Sequence, residues 1–322
     1  MRILITGGSG FLGTLLARRL LSSAVGVGGA TPDAVSGLVL LDVVPPQPDL
    51  ADDPRVTAVV GSLDDPDVLA TIGESDAVVH LAGVVSGAAE ADLDAGLRSN
   101  LDGLRALLDA VRTWRTPPVL VFSSSLAVFG RDPALAPLGV IADDTLPTPQ
   151  SSYGIQKLIG EHLVTDYTRR GLVRGRSVRL MTVAVRPGRP NAAASSFLSG
   201  IIREPLAGVR AVCPVDPDMP VALSSPSATL AGILRALEVT DAEWGSTTAM
   251  SLPALTTTPR EMVAALGRIA GPEVASLVDW IPDPAIEAIV GTWPSRFSTP
   301  RAASLGLSPV PSFDDVITEF LS

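Results

Sequence analysis

Tyr153 and Lys157 stand four residues apart in "SYGIQKLIGEHLVTDYTRRG", a segment of helical period, so both project from one face. An ammonium held beside a phenol favours the phenolate and lowers a pKa that is about 10 when unperturbed. A tyrosine so placed can act as a general base near neutral pH, where a free one cannot. Upstream, "FSSSLAVFG" puts Ser123, Ser124 and Ser125 at the end of the apolar run 119–122. A serine facing the tyrosine can hold a substrate oxygen between the two hydroxyls.

A second cluster lies where Ile3-Leu4-Ile5-Thr6 runs into "GGSGFLG" and then into a helical pattern. It contains Gly8-x-Gly10-x-x-Gly13, with Gly7 in front. Glycines there let the backbone turn tightly and approach a pyrophosphate held at the positive end of a helix. Asp42 closes the next apolar run, "LVLLD", where a carboxylate can accept ribose hydroxyls and would repel a 2′-phosphate. No arginine follows in "VVPPQP", so NAD is expected rather than NADP. The interval from Gly13 to Asp42 exceeds the usual ~20 residues. The Gly/Pro-rich stretch 24–37, read as a flexible insertion, accounts for the excess.

These residues need a frame, and the chain supplies one. Short apolar runs at 2–6, 38–42, 56–60, 77–80, 119–123 and 178–183 alternate with helical segments. That alternation predicts an α/β fold: a Rossmann-type, doubly wound parallel sheet with right-handed crossovers. Beyond about residue 186 prolines become dense ("VCPVDPDMPV", "WIPDP") and the alternation is lost. The expected organisation is an NAD-binding Rossmann domain over 1–185 and a smaller, irregular substrate-binding lobe over 186–322. Some segments of the lobe are expected to return to the first domain.

Composition narrows the function. The chain has 322 residues, 46% hydrophobic but only 4% aromatic, so the core must be built from Ala, Val, Leu and Ile. A formal charge of −10 without a basic cluster argues against nucleic acid and anionic membranes, though not against a small anionic substrate. Cys213 is the single cysteine, which excludes an intrachain disulfide and suits a reducing, cytoplasmic compartment. "MRILITGG" shows no signal-peptide pattern, and no apolar run reaches the ~18–20 residues of a membrane span. His80 ends a strand, His162 lies mid-helix, and with one cysteine beside them no metal site is expected. Both histidines are expected to be structural.

"TGGSGFLG", "HLAG", "SNLDG", "FSSSLAVFG" and "YGIQK" resemble, in order and spacing, the extended short-chain dehydrogenase/reductases (the NAD-dependent epimerase/dehydratase family), and the likeness continues to "RAASLGLSP". It implies a catalytic set of Ser125, Tyr153 and Lys157. It places NAD against Gly7, Gly10, Phe11, Leu12, Gly13, Asp42, Ser62, Leu63, Ala82, Asn100 and Pro187, together with Tyr153 and Lys157. Phe129 stands where the family often has Tyr, and Ser62 where it often has Asp. Within the family, "RPGRPNAAASSFLSGIIREPLAG" and "AVCPV" resemble the D-erythronate dehydrogenases, NAD enzymes of small sugar acids, rather than the nucleotide-sugar enzymes. The resemblance also implies a homodimer paired through the two long helices 92–114 and 151–171.

Substrate contacts are then expected from Ser125, Tyr153, Arg189, Asn191, Ser195 and Arg203. Guanidinium binds carboxylate in bidentate fashion, so one of Arg186, Arg189 and Arg203 should hold the acid, with Arg189 or Arg203 ahead of Arg186. Ser195 and Ser196 either bind substrate hydroxyls or cap the helix that follows. The expected reaction is oxidation of the C2 hydroxyl of an aldonate to the 2-oxo acid (EC 1.1.1 type), with Tyr153 as base. A nucleotide-sugar epimerase or dehydratase with tightly held NAD, and a non-catalytic NAD sensor, are the alternatives.

Overall fold

The apolar runs of the first half become strands covered on both faces, except the run 56–60, which stays half-exposed at the sheet edge. A computed structural model describes residues 1–322 except 136, 190 and 191. Six strands come first: β1 (Arg2–Thr6), β2 (Gly37–Asp42), β3 (Val56–Val60), β4 (Ala77–His80), β5 (Val119–Ser125) and β6 (Arg174–Leu180). Six shorter ones follow: β7 (Thr182–Val183), β8 (Ala211–Cys213), β9 (Val221–Ser224), β10 (Met250–Ser251), β11 (Leu255–Thr257) and β12 (Val278–Trp280). The main sheet has seven strands in the order β3-β2-β1-β4-β5-β6-β10, all parallel. The order reverses between β1 and β4, and such a switch point opens a crevice at the carboxyl ends of the strands.

Side-chain alternation between two covered faces explains why the central strands β1, β2 and β4 and the first half of β5 are mostly apolar. Ile3, Ile5, Leu38, Leu40, Val79 and Val121 pack on one face with Leu16 and Leu20 of the helix Phe11–Ser22 and Ile233 and Leu237 of the helix Pro226–Glu238. Leu4, Val39, Val78 and Leu120 pack on the other with Leu104, Leu107 and Leu108 of the helix Gly103–Val111.

Three details depart from the sequence expectation. The run at 178–183 is two strands, and β6 starts at Arg174 because Arg174 and Arg176 interrupt the apolar signal. Arg176 is fully buried and donates to Asp241 at 3.0 Å and to the Ala236 carbonyl, so its charge is paired rather than solvated. The stretch 24–37 is packed, not flexible: Val25, Val27 and Val35 are buried in the main core, and a Val25–Asp33 bridge closes the loop. Many prolines beyond residue 186 mark helix starts, since Pro226, Pro259, Pro272, Pro284 and Pro300 each open a helix.

The remaining strands form small sheets, β11-β9-β7 and β12-β8. They share a core (Ile201, Ile202, Met262, Leu266, Val316, Ile317) with the helices Phe197–Leu206, Pro259–Ala270 and Phe313–Leu321. Among the described residues no helix is long and apolar enough to cross a membrane.

Candidate functional site

The glycine loop after β1 is shaped for close approach. Gly7 has φ +71°, and a Cβ there would lie 2.7 Å from the Ala82 nitrogen. A Cβ on Gly13 would lie 2.1 Å from the Gly7 carbonyl oxygen, so no side chain fits where the helix meets the loop. The helix Phe11–Ser22 begins after Gly10 with no side-chain cap, which leaves its first N–H groups for an incoming ligand. Asp42 sits at the end of β2, its two carboxylate oxygens accepting from the N–H groups of Ser9 (3.0 Å) and Val43 (2.7 Å).

Two adjoining cavities run along this edge of the sheet and share Gly7 and Gly10. One, of about 510 Å³, is walled by Asp42, Ser62, Leu63, Ala82 and Arg98. The other, of about 350 Å³, is walled by Phe11, Leu12, Gly13, Ser125, Tyr153 and Lys157. An elongated dinucleotide fits this trough, its pyrophosphate over the glycine loop and its adenosine toward Asp42. Two expected cofactor residues lie elsewhere. Asn100 is buried behind the wall, its amide donating to Val84 O (3.0 Å) and Gln156 Oε1 (2.7 Å) and accepting from Val84 N–H (2.8 Å). It braces the Gly83–Val84 backbone instead of facing the trough. Pro187 is exposed and does not wall either cavity.

Each of the three serines at the end of β5 has its own task. Ser123 donates to the His80 carbonyl (2.9 Å), while its own carbonyl accepts from the Lys157 ammonium (2.9 Å). Ser124 donates to Glu161 (2.5 Å), a buried carboxylate that also takes two hydrogen bonds from Arg179, at 2.8 and 2.7 Å. Ser125 accepts from Ala127 N–H (3.2 Å) and its hydroxyl meets the Tyr153 phenol.

Tyr153 and Lys157 lie in the helix Ser152–Arg169, capped by the Ser151 hydroxyl and by Glu90, which accepts from Ser152 N–H at 2.9 Å. The Lys157 nitrogen is 5.7 Å from the Tyr153 ring centre, and burial lowers its pKa to about 8. Burial pushes the Tyr153 phenol above its ordinary value; the Ser125 hydrogen bond and the Arg186 charge pull the other way. His80 is buried, its Nδ1 2.7 Å from Thr6 Oγ1, its ring stacked on Phe122. Desolvation, then the Lys157 charge, lower its pKa to about 3, so it is a neutral structural group. His162 is exposed.

The far wall of the second cavity comes from Thr182 on β7 and from Arg186, Ala193 and Ser195 after it, with Trp293 from far along the chain. Here the expectation for the arginines is corrected. Arg203 is held by protein, donating to the Arg186 carbonyl at 2.7 Å and pairing with Glu204. Arg189 is exposed and walls neither cavity. Asn191 lies outside the described residues. Arg186 is the arginine in the cavity, half-buried, with Nε donating to the Val183 carbonyl (3.2 Å) and no ion pair among the described residues. Arg203 and the Ser199 hydroxyl, which accepts from Arg186 N–H at 3.0 Å, fix its backbone. Ser195 is buried on the wall and occupies no N-cap, those positions belonging to Ala193 and Ser196. Phe129 is in the core, its ring under the Arg179 guanidinium at 4.7 Å.

Trp293, Thr182 and the prime place of Arg186 escaped the sequence reading. Trp293 is brought in from more than a hundred residues away and shows no local signal. A glycine cradle, a ribose-side carboxylate and a Ser-Tyr-Lys set in one trough define an NAD-binding enzyme of the extended short-chain dehydrogenase/reductase type. The model of the NAD dependent epimerase/dehydratase family matches residues 3–216, and the chain belongs to that family. NAD is its cofactor. The chain is 50% identical to a D-erythronate dehydrogenase of Cupriavidus necator, over 100% of this chain and 98% of that one. It is 39% identical to a D-erythronate dehydrogenase of Haemophilus influenzae, over 100% and 99%. Among solved structures it is similar to a nucleoside-diphosphate-sugar epimerase from Agrobacterium tumefaciens. That match is 37% identical with TM-score 0.88, over 98% of this chain and 92% of that one.

Proposed function

We propose that this protein is an NAD-dependent dehydrogenase that oxidises the C2 hydroxyl of a small sugar acid of the D-erythronate type to the 2-oxo acid. The observation that carries this reading is Arg186, a half-buried cation without a carboxylate partner among the described residues, on the same wall as Tyr153 and Ser125. A buried unpaired charge is costly, and a substrate carboxylate supplies the missing partner. The names of the full-length relatives point to the same substrate class.

Bound NAD supplies the hydride acceptor. Arg186 takes the substrate carboxylate, and with Nε engaged by Val183 O its two terminal nitrogens remain for a bidentate grip. Ser125 holds the reacting hydroxyl against Tyr153, which removes its proton. Lys157 keeps the strand end in place through Ser123 O and adds a positive charge under the site. Ser195 and Thr182 offer hydroxyls for the remaining polyol. We extend the proposal to a cytoplasmic homodimer joined through the helices that expose Leu93, Ile155 and Ile159, which light scattering in solution tests.

The test is a set of aldonates of increasing chain length, assayed with NAD for net NADH. An epimerase returns the hydride and gives none, so accumulation of NADH separates the two chemistries.

A further inference from the structure

The helical segment that begins at Leu93 makes one wider turn of π type at Arg98–Asp102 before it continues as Gly103–Val111. Single turns of this kind recur at functional positions, and the extra residue re-aims the side chains around it. The cavity of about 510 Å³ takes Ala95, Arg98, Ser99 and Gly103 from this segment for its wall. We propose that Arg98 is a diphosphate-binding residue for NAD, adding a full charge to the N–H groups of the glycine loop. The proposal concerns the cofactor and does not depend on the sugar-acid reading.

The packing of the segment places Arg98 at the middle of the trough. Asn100, in the wide turn and 2% exposed, is locked by Val84 and Gln156. A Cβ on Gly83 would lie 2.6 Å from Asn100 Oδ1, so helix and loop touch there. On the N-terminal side of Arg98, a Cβ on Gly96 would lie 2.7 Å from Nε2 of Gln156, which is on the helix of Tyr153 and Lys157. On its C-terminal side, a Cβ on Gly103 would lie 3.2 Å from Leu63 Cβ, on the adenosine side. Arg98 therefore stands between the Tyr153 end and the Leu63 end. The Gly83–Val84 backbone that Asn100 grips lines both cavities, together with Gly7 and Gly10. A dinucleotide crosses that shared stretch with its diphosphate.

Charge points the same way. Among the described residues, the charged side chains on this wall are Asp42, Asp64 and Arg98. The Asp42 oxygens accept from Ser9 and Val43 N–H, and Arg98 is exposed with no side-chain hydrogen bond or ion pair among the described residues. Two carboxylates without a cation would repel a diphosphate. The uncapped end of the helix Phe11–Ser22 offsets only about half a charge. Arg98 supplies the remainder, and a guanidinium takes phosphate oxygens in bidentate fashion. Lys157 and Arg186 wall the other cavity and do not line this one.

The experiment is titration calorimetry of NAD and of ADP-ribose into the substrate-free protein, so neither outcome touches the sugar-acid reading. Arg98→Leu is expected to weaken both ligands alike, about tenfold or more, with the urea midpoint of the cofactor-free protein unchanged. Arg98→Lys should recover most of the loss, because an ammonium binds phosphate as a point charge. Native affinity in Arg98→Leu overturns the proposal. A loss confined to NAD also overturns it, since the arginine would then act at the nicotinamide. So does a Lys variant as weak as the Leu one, the behaviour of a guanidinium that stacks on adenine. Should Arg98→Leu not fold, Arg98→Gln, neutral and polar, takes its place with the same expectations.

Discussion

Replacing Glu161 by Leu tests what holds the end of β5 and the helix of Tyr153 and Lys157 together. Glu161 lies on the same helix as Tyr153 and Lys157, its side chain 5% exposed, and Arg179 on β6 is 7% exposed. Three hydrogen bonds end on its carboxylate, two from Arg179 and one from Ser124, the neighbour of Ser125. Glu161→Leu leaves a guanidinium buried without a counter-charge and a serine without its acceptor. Breaking such a pair costs about 3–5 kcal/mol. Ser124→Ala removes one bond to a charged acceptor and should cost about 1.5–3 kcal/mol. The double variant Glu161→Leu/Arg179→Met has no charge left to bury, so it is expected to be more stable than Glu161→Leu alone, because apolar replacement of a buried pair is often neutral. Urea unfolding of the parent, Glu161→Leu, Arg179→Met and the double variant measures this directly, and the coupling follows from the cycle, with Ser124→Ala measured beside them. A single Glu161→Leu variant within about 1 kcal/mol of the parent, or a double variant as damaged as the sum of the singles, would refute the reasoning.

Tyr153→Phe is expected to lower kcat by about 10²–10⁴-fold with NAD binding retained, since it removes the proton acceptor and little volume. Arg186→Leu should raise the aldonate KM about tenfold or more, a loss of roughly 1.4 kcal/mol, and Arg186→Lys should recover only part, because an ammonium lacks the fork. Asp42→Ala should narrow the preference for NAD over NADP, measured as a ratio of kcat/KM; native turnover with NADP equal to that with NAD would remove the role given to Asp42. His80 titrates near 3 when folded against an ordinary value of 6.5, so the unfolded chain binds the extra proton between those pH values. Stability from this group is therefore present above pH 6.5 and falls as pH drops toward 3, by about 1.4 kcal/mol per unit, and His80→Gln should flatten that slope.

The parallel sheet and the cofactor trough were legible because their causes are local. Alternating apolar strands, a glycine loop between strand and helix, and a carboxylate at a strand end each occupy one short stretch of chain. The same holds for Tyr153 and Lys157, one helical turn apart. What stayed hidden depends on partners distant in sequence. Arg174 and Arg176 disguised the start of β6, because only a fold that brings Asp241 beside them lets an arginine lie inside a strand. The three arginines after β7 could not be ranked from their types: one faces the cavity, one is held by Glu204 and a carbonyl, and one points to solvent. Asn100, given to the cofactor by the resemblance that "SNLDG" carries, has its amide engaged by Val84 and Gln156. Ser124 and Glu161 carried no visible link across 37 residues.

The most direct test of the sugar-acid reading compares D-erythronate with erythritol, its uncharged polyol counterpart, each with NAD and the purified protein. The two differ at the carboxylate that Arg186 is placed to receive. The expected result is steady accumulation of NADH with D-erythronate and little or none with erythritol, with the 2-oxo acid as product. Equal rates on the two, or no net NADH with any aldonate, would contradict the assignment and favour a nucleotide-sugar substrate.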